Sequence, residues 1–178
     1  MSRALLCVPL ALAACAPEPP PEPVLLSVWE PTPDSAVERM LALADLQPGE
    51  TLLDLGSGDG RIVVEAARRG ARAVGYEIDD ELIAQSRRRI AEAGVGERAR
   101  IEDRDLLTAD FASADVVAIY LTPESFPPLI PLLEDQLQPG ARVVAYKFPL
   151  PGWTPEDSKR WQDPDPDIPP HEVFLYRR

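Results

Sequence analysis

Short apolar segments alternate with segments in which apolar residues recur every three or four positions, from about residue 34 to residue 148. The short segments predict buried strands and the periodic ones predict amphipathic helices. Predicted strands cover residues 51–55, 73–76, 99–102, 116–120, 142–148 and 172–176, and one more lies around 159–161. Strands that alternate with helices indicate a mostly parallel α/β sheet, doubly wound, with helices on both faces.

The predicted helices begin and end at residues that are typical of helix termini. Thr32-Pro33 and Thr122-Pro123 each offer a threonine cap with a proline at the first helical position. Two other helices follow Gly60 and Asp79, and the second of these is expected to end near Gly94. Such regularly spaced helix termini indicate one compact α/β domain.

The first 15 residues have the composition of a secretory leader. Arg3 precedes an apolar run that is too short to span a bilayer but has the length of a signal-peptide core. Its end, Leu12-Ala13-Ala14-Cys15, resembles the bacterial lipobox, whose cysteine is lipidated and becomes the mature N-terminus. An uncleaved apolar tail or a wrongly chosen start codon is the alternative.

These features predict a division of the chain into three parts. Residues 1–15 are expected to be a signal peptide with a lipobox and lipidation at Cys15, and residues 16–31 a Pro-rich extended linker. Residues 32–178 are expected to form the domain. The domain would then lie in the bacterial cell envelope, held to a membrane by its lipid and facing the periplasm or the exterior.

Charge and rare residues exclude several kinds of site. A formal net charge of -12 disfavours a nucleic-acid partner, because it repels a phosphate backbone. The basic cluster at residues 87–89 is expected to be a solvated helix face. The only cysteines, Cys7 and Cys15, lie in the leader and provide neither a disulfide nor a zinc site. The single histidine, His171, is expected at the surface or at a strand end.

A glycine-rich turn follows the first predicted strand and precedes a helix. Its pattern is Asp54-x-Gly56-x-Gly58-x-Gly60, and glycines let a ligand approach the backbone closely. A dinucleotide fingerprint would place its third glycine one position later, where this chain has Arg61. The acidic Asp54 suits the ammonium group of S-adenosylmethionine better than a pyrophosphate. The spacing therefore disfavours a nicotinamide-dependent oxidoreductase.

Further acidic residues follow the second and third predicted strands. Glu77 lies about 20 residues beyond the glycine turn, where a carboxylate binds ribose hydroxyls of either NAD or S-adenosylmethionine. Asp105 follows the third strand, where its side chain can accept a hydrogen bond from an adenine amino group.

Together these residues resemble the class I, seven-strand methyltransferases over about residues 32–176. The finer resemblance is to lysine methyltransferases whose eukaryotic members modify mitochondrial membrane proteins, and to their exported bacterial relatives. It is carried by residues 31–33, 37–41, 54–63, 116–123, 139–144 and 152–155. The resemblance implies a Rossmann-like seven-strand fold, S-adenosylmethionine as the cofactor, and methyl transfer to a lysine amine of a protein as the reaction. Membrane-associated proteins are among the candidate acceptors.

The resemblance also assigns roles to residues. The methionine part of the cofactor is expected at Asp54, Gly56, Ser57 and Gly58, the ribose at Glu77, the adenine at Asp105 and Leu106, and Ile78 is counted among the cofactor-binding residues. Residues 29–32 are expected to fold over the cofactor as part of a lid.

The segment after the fourth predicted strand is the candidate acceptor site. We hypothesise that Tyr120 orients the acceptor amine and that Glu124 attracts its charge. The segment is not the Asn-Pro-Pro-Tyr motif of enzymes that methylate planar nitrogen, which argues against a nucleobase or glutamine acceptor.

A lipoprotein leader raises a question about cofactor supply, because S-adenosylmethionine is made in the cytoplasm. The cofactor reaches the envelope, or it is bound before export, or the domain keeps the fold without methylating. The last case is the alternative function, a non-catalytic envelope-associated binding module on a methyltransferase scaffold. The sequence leaves the oligomeric state open.

Overall fold

The computed structural model describes residues 29–165 and 167–178. The predicted leader, Cys15 and most of the predicted linker lie outside the described residues. The strands are β1 (Thr51–Leu55), β2 (Arg72–Glu77), β3 (Ala99–Asp103), β4 (Val116–Ile119), β5 (Arg142–Tyr146), β6 (Asp157–Trp161) and β7 (His171–Arg177). The helices are α1 (Asp34–Leu43), α2 (Arg61–Arg68), α3 (Asp80–Ala93) and α4 (Phe126–Gln136).

The seven strands form one sheet in the order β3-β2-β1-β4-β5-β7-β6. The first five strands run parallel, and β7 lies antiparallel between β5 and β6. The strand order reverses between β1 and β4, and ligands of such sheets bind beyond the strand ends at this switch point. The predicted seven-strand, mostly parallel Rossmann-like sheet is confirmed.

Both faces of the sheet are covered. Apolar residues of α1, α2 and α3 pack with the sheet in one cluster, in which Met40, Val63 and Ile83 are buried. On the other face α4 contributes Phe126 and Leu129 to a second cluster. In the part of the chain that the structure describes, no helix is both long and apolar enough to cross a membrane.

Several element ends differ from the prediction, each for a local reason. Thr32 does not cap α1, which begins after Pro33 without a side-chain cap. Thr122 precedes a 3-10 turn (Pro123–Ser125), and α4 begins only after this turn. The strand predicted to reach residue 148 ends at Tyr146, because Lys147 adopts a φ of 70°, which is not compatible with a strand.

His171 was expected at the surface or at a strand end. It is the first residue of β7, so it is at a strand end, but it is buried. Its side chain is 7% exposed and stacks on Trp161, with 5.0 Å between the ring centroids. A 2.5 Å hydrogen bond joins His171 Nδ1 to the Tyr146 hydroxyl, and His171 Nε2 lies 2.7 Å from Asp163 Oδ2. These partners explain how an imidazole is buried at the start of β7.

Candidate active site

A cavity of about 260 Å³ lies beyond the C-terminal ends of β1, β2 and β4. All the predicted cofactor-binding residues line it, namely Asp54, Gly56, Ser57, Gly58, Glu77, Ile78, Asp105 and Leu106. Tyr120 lines it as well, together with residues 29–32. The topology thus brings together side chains that are far apart along the chain.

The backbone of the glycine turn can lie close to a ligand because Gly56 and Gly58 carry no side chains. Gly56 and Gly58 have φ angles of 76° and 54°, in the left-handed region that favours glycine. A Cβ atom added to Gly58 would lie 2.4 Å from Nε1 of Trp29, whose indole covers the turn. A Cβ added to Gly56 would lie 2.9 Å from the Leu121 side chain. The turn is therefore packed on one side and open to the cavity on the other.

Asp54 lies one residue before the end of β1 and carries a buried carboxyl group that lacks a donor among the described residues. Its side chain is 2% exposed, and its Oδ2 finds no hydrogen-bond partner among the described residues, nor does the Oγ of Ser57. Burial, with smaller contributions from the charges of Glu77 and Asp59, raises the pKa of Asp54 to about 8. Buried polar atoms ordinarily have partners. An acceptor of this kind, facing a cavity, fits the ammonium group of an amino-acid moiety.

Glu77 joins the end of β2 to the glycine turn. The backbone N–H of Gly58 donates to Glu77 Oε2 over 2.8 Å, and the N–H groups of Ile78 and Asp79 donate to Oε1 over 2.8 and 3.0 Å. Each carboxylate oxygen accepts up to two hydrogen bonds, so Oε2 keeps one position for a hydroxyl. Glu77 therefore fixes the turn and can still bind a ribose.

Asp105 and Leu106 form the next part of the wall, after β3. The backbone N–H of Leu107 donates to Asp105 Oδ1 over 2.9 Å, and this contact caps a 3-10 turn (Leu106–Thr108). Leu106 is 8% exposed and gives the cavity an apolar surface on which a flat base can pack. The adenine role of both residues stays a prediction.

Asp59 differs from Asp54 in having two arginine partners. Its carboxylate accepts from Arg61 Nε and Nη2 over 2.9 and 2.7 Å, and from Arg89 Nη2 over 2.7 Å. Burial raises its pKa, but the hydrogen bonds and charges of the two arginines outweigh this effect and lower it. Arg61 also donates to the carbonyl of Thr32 over 2.7 Å, which holds residues 29–32 beside the cavity.

Arg89 belongs to the cluster that was expected to form a solvated helix face, and its side chain is 39% exposed, but it is also paired. Its guanidinium extends from α3 to the glycine turn, where it donates to both the carboxylate and the carbonyl oxygen of Asp59. A run of three arginines does not show which of them contacts a neighbouring element, and only the helical phase of α3 decides it.

We call the end of the cavity at Tyr120 and Glu30 the acceptor end, and the end at Asp54 and Glu77 the cofactor end. At the acceptor end the acidic residue that contacts Tyr120 is Glu30 and not Glu124, which the hypothesis named. Tyr120 follows β4 and its hydroxyl donates to Glu30 Oε2 over 2.7 Å. Lys147 Nζ lies 3.4 Å from both of these oxygen atoms. Glu124 is exposed and is not part of the cavity wall, so its role stays a prediction. Sequence reasoning missed Glu30 and Lys147, although the position of Glu30 inside the expected lid was a signal.

Burial, together with the hydrogen bond and charge of Glu30, raises the pKa of Tyr120 above its usual range. The phenol therefore keeps its proton at neutral pH and can position a group, but it is not suited to act as a base.

Comparisons with known proteins point in one direction. The sequence model of one family, described as the ANTKMT methyltransferase domain, matches residues 54–157. A protein-lysine N-methyltransferase of Saccharolobus islandicus (strain REY15A) is 38% identical over 150 residues, which cover 83% of this chain and 91% of that protein. A lysine N-methyltransferase of Mus musculus, named for a component of ATP synthase, is 42% identical over 126 residues, which cover 71% of this chain and 51% of that protein.

One solved structure is similar over nearly the whole described domain. It is described as an RNA methyltransferase from Salinibacter ruber in complex with S-adenosyl-L-homocysteine. It has a TM-score of 0.75 and 41% sequence identity, and the match covers 83% of this chain and 93% of that one. The chain spans about half the length of the mouse relative but nearly all of the Saccharolobus and Salinibacter proteins.

Proposed function

Since the chain belongs to the family of the ANTKMT methyltransferase domain, we propose that it transfers a methyl group from S-adenosylmethionine to the ε-amino group of a protein lysine. The expected resemblance to class I methyltransferases, and to lysine methyltransferases among them, is confirmed. The observation that carries the cofactor assignment is Asp54, a buried carboxyl group beside a glycine turn whose Oδ2 has no hydrogen-bond partner among the described residues.

The residues of the cavity fit S-adenosylmethionine part by part. Asp54 is placed to accept from its ammonium group, Glu77 from its ribose, and Leu106 to pack on its adenine. The cofactor, when bound, supplies a methyl group on a sulfonium, which is already electrophilic. The chain's own residues must therefore hold the acceptor in line and keep water out.

The acceptor must be a neutral amine when it attacks, because a lysine ammonium, with a reference pKa of about 10.4, has no free electron pair. An acceptor that binds as an ammonium therefore first gives its proton to solvent water, which reaches the exposed carboxylate of Glu30. Tyr120 is placed at the mouth of the cavity, where its hydroxyl can accept a hydrogen bond from the amine and turn the electron pair toward the cofactor. We keep this positioning role for Tyr120 as part of the proposal.

The Salinibacter relative is described as an RNA methyltransferase, so RNA is the competing acceptor. The net charge of -12 disfavours it, since RNA binding depends on neutralising phosphates with basic side chains. In the described part of the cavity wall the basic residues are Arg61 and Arg104, and both have acidic partners, Asp59 and Glu102 respectively. A cationic acceptor fits this charge better than an anionic one.

The test is methyl transfer from radiolabelled S-adenosylmethionine by the full chain. The acceptors are a lysine-containing peptide, the same peptide with arginine in place of lysine, and a structured RNA. We expect label on the lysine peptide alone, and its loss in Asp54→Ala and Glu77→Ala variants. Label on the RNA alone would contradict the lysine assignment. Cofactor binding without transfer to any acceptor would favour the non-catalytic scaffold.

The lipobox-like segment supports a second part of the proposal, a lipid anchor at Cys15. An enzyme held in the bacterial cell envelope would meet lysines of membrane-associated proteins at high local concentration. We expect the chain to partition with membranes and Cys15→Ser to release it into the soluble fraction. Retention of the leader with an unmodified Cys15 would remove the anchor from the proposal and leave the chemistry of the domain untouched.

A further inference from the structure

Three side chains from distant parts of the chain meet at the acceptor end of the cavity. The Tyr120 hydroxyl donates to Glu30 Oε2 over 2.7 Å, and the ammonium of Lys147 lies 3.4 Å from each of these oxygens. Glu30 and Tyr120 line the cavity and Lys147 does not, so the lysine reaches the pair from outside the wall.

The surroundings of this ammonium are those of a cation site. Lys147 Nζ lies 5.8 Å from the centroid of the Tyr120 ring and 5.7 Å from that of Phe148, within the range of cation–π attraction. The hydrogen bond from Tyr120, more than the charge of Lys147, lowers the pKa of Glu30. Glu30 therefore stays a carboxylate at neutral pH, and the site keeps its negative charge.

The backbone conformation of Lys147 directs its side chain toward Glu30 and Tyr120. Its φ of 70° is in the left-handed region, which a lysine rarely adopts, and its N–H donates to the carbonyl of Glu172 over 2.8 Å. Such a conformation persists only where the surrounding structure holds it. Lys159, the other lysine of the sequence, instead pairs with Asp157 on the edge strand β6.

We propose that Glu30 and Tyr120 form the binding site for the ammonium of the acceptor lysine, and that Lys147 occupies this site with its own ammonium until the acceptor displaces it. This inference rests on the proposed function and assigns to Glu30 the charge that sequence reasoning gave to Glu124. The side chains of Glu30 and Lys147 are 65% and 43% exposed. Exposed ion pairs are weak, so a second ammonium can replace Lys147 at small cost.

Two lysines in the whole sequence make a direct binding experiment possible. The full chain is prepared with lysine labelled with ¹³C at the ε carbon, and Lys159→Arg assigns the two resonances. With S-adenosylhomocysteine present, n-butylammonium chloride is titrated as the probe. We expect a saturable shift of the Lys147 resonance, no shift of the Lys159 resonance, and no saturation in Glu30→Gln. Equal shifts with sodium chloride at the same concentration would overturn the proposal.

Kinetics with the lysine peptide test the same site during turnover. Glu30→Gln is expected to raise KM for the peptide about tenfold, because a charge-assisted contact is lost. The Kd of S-adenosylmethionine in the absence of peptide should stay within about twofold of the wild type, since Asp54, Glu77 and Leu106 are unchanged. Glu97→Gln, a surface glutamate on the loop before β3, is the matched control.

Lys147→Met tests the resident ammonium. It should lower KM for the peptide several-fold in the wild-type background and have no effect in the Glu30→Gln background, because the competitor matters only where it has a carboxylate to occupy. The same decrease in both backgrounds, or a rise in KM, would overturn the proposal. If the wild type transfers no methyl to the peptide, the proposed function fails, and the titration still decides whether the ammonium site exists.

Discussion

The two ends of the cavity are built in different ways. At the cofactor end, Glu77 accepts from the backbone of Gly58, only 19 residues away, and the carboxylates of Asp54 and Glu77 are nearly buried. At the acceptor end, side chains contact side chains over separations of 90 and 117 residues, from Glu30 to Tyr120 and to Lys147. These acceptor contacts are largely exposed.

This contrast shows which part of the site is free to change. Backbone donors and glycine turns fix the cofactor end, because moving any of them disturbs the sheet itself. Side-chain contacts at the rim can be replaced one at a time with little cost to the fold. A methyltransferase built in this way keeps one cofactor while its acceptor varies, and this fits relatives that are named for a lysine of ATP synthase in one case and for RNA in another.

The largest effect is expected from Gly58→Ala. The left-handed φ and the indole of Trp29 leave no room for a methyl group, so either the turn or residues 29–32 must move. We expect the affinity for S-adenosylmethionine to fall by about a hundredfold or more, as measured by calorimetry. Gly96→Ala, where the nearest side-chain atom is 4.0 Å away, is the control. A normal cofactor Kd with a raised acceptor KM would contradict the division of the cavity.

Opposite effects on stability are expected at two aspartates of the same wall. In the cofactor-free protein, Asp54→Asn should raise the free energy of unfolding by on the order of 2 kcal/mol, because it removes a buried ionisable carboxyl whose Oδ2 has no donor among the described residues. Asp59→Asn should lower the free energy of unfolding by about as much, because two arginines lose their carboxylate partner.

Urea unfolding at pH 7 measures both effects. Asp54→Asn should nevertheless bind S-adenosylmethionine more weakly than the wild type. The two measurements then separate the destabilising effect of Asp54 on the fold from its contribution to cofactor binding. A loss of stability in both variants would show that Asp54 has a structural partner after all.

The free energy of unfolding should depend on pH because of the raised pKa of Asp54. Its folded-state pKa is raised to about 8 from an ordinary value of 3.8. Between these two values the unfolded chain releases a proton that the folded chain keeps, so stability falls as pH rises. We expect a loss on the order of 4 kcal/mol between pH 5 and pH 8 in the cofactor-free protein, and a smaller slope in Asp54→Asn. Parallel pH profiles of the two proteins would contradict the raised pKa.

The smallest effect is expected at the acceptor end, from Tyr120→Phe. It removes one hydroxyl that donates to Glu30, so KM for a lysine peptide should rise about threefold while the cofactor Kd stays within about twofold. Glu124→Gln should raise KM less than Glu30→Gln does, because Glu124 lies outside the cavity wall. Loss of cofactor binding in Tyr120→Phe would remove the positioning role from this residue.

The sequence predicted the sheet, the parallel strands and the cofactor end of the site. It did so because strand periodicity, the glycine turn and Glu77 act through neighbours along the chain or through adjacent strands. Glu30, Lys147 and Arg89 could not be predicted in the same way. Their partners lie 30 to 117 residues away, and side-chain direction decides the contact.

Lys147 illustrates the limit of prediction from the sequence. Its segment predicted a strand through residue 148, and no residue type in that run indicates a left-handed turn. The packing of β5 against β7, including the bond from the Lys147 N–H to Glu172, imposes the conformation from outside the segment.

Trp29 and Glu30 are adjacent residues with contacts at opposite ends of the cavity. The indole of Trp29 lies on Gly58, and the carboxylate of Glu30 accepts from Tyr120. Where displacement of one of these side chains shifts the peptide unit that carries the other, the two binding equilibria are coupled. By reciprocity, the acceptor then alters the affinity for the cofactor by the same factor as the cofactor alters that for the acceptor.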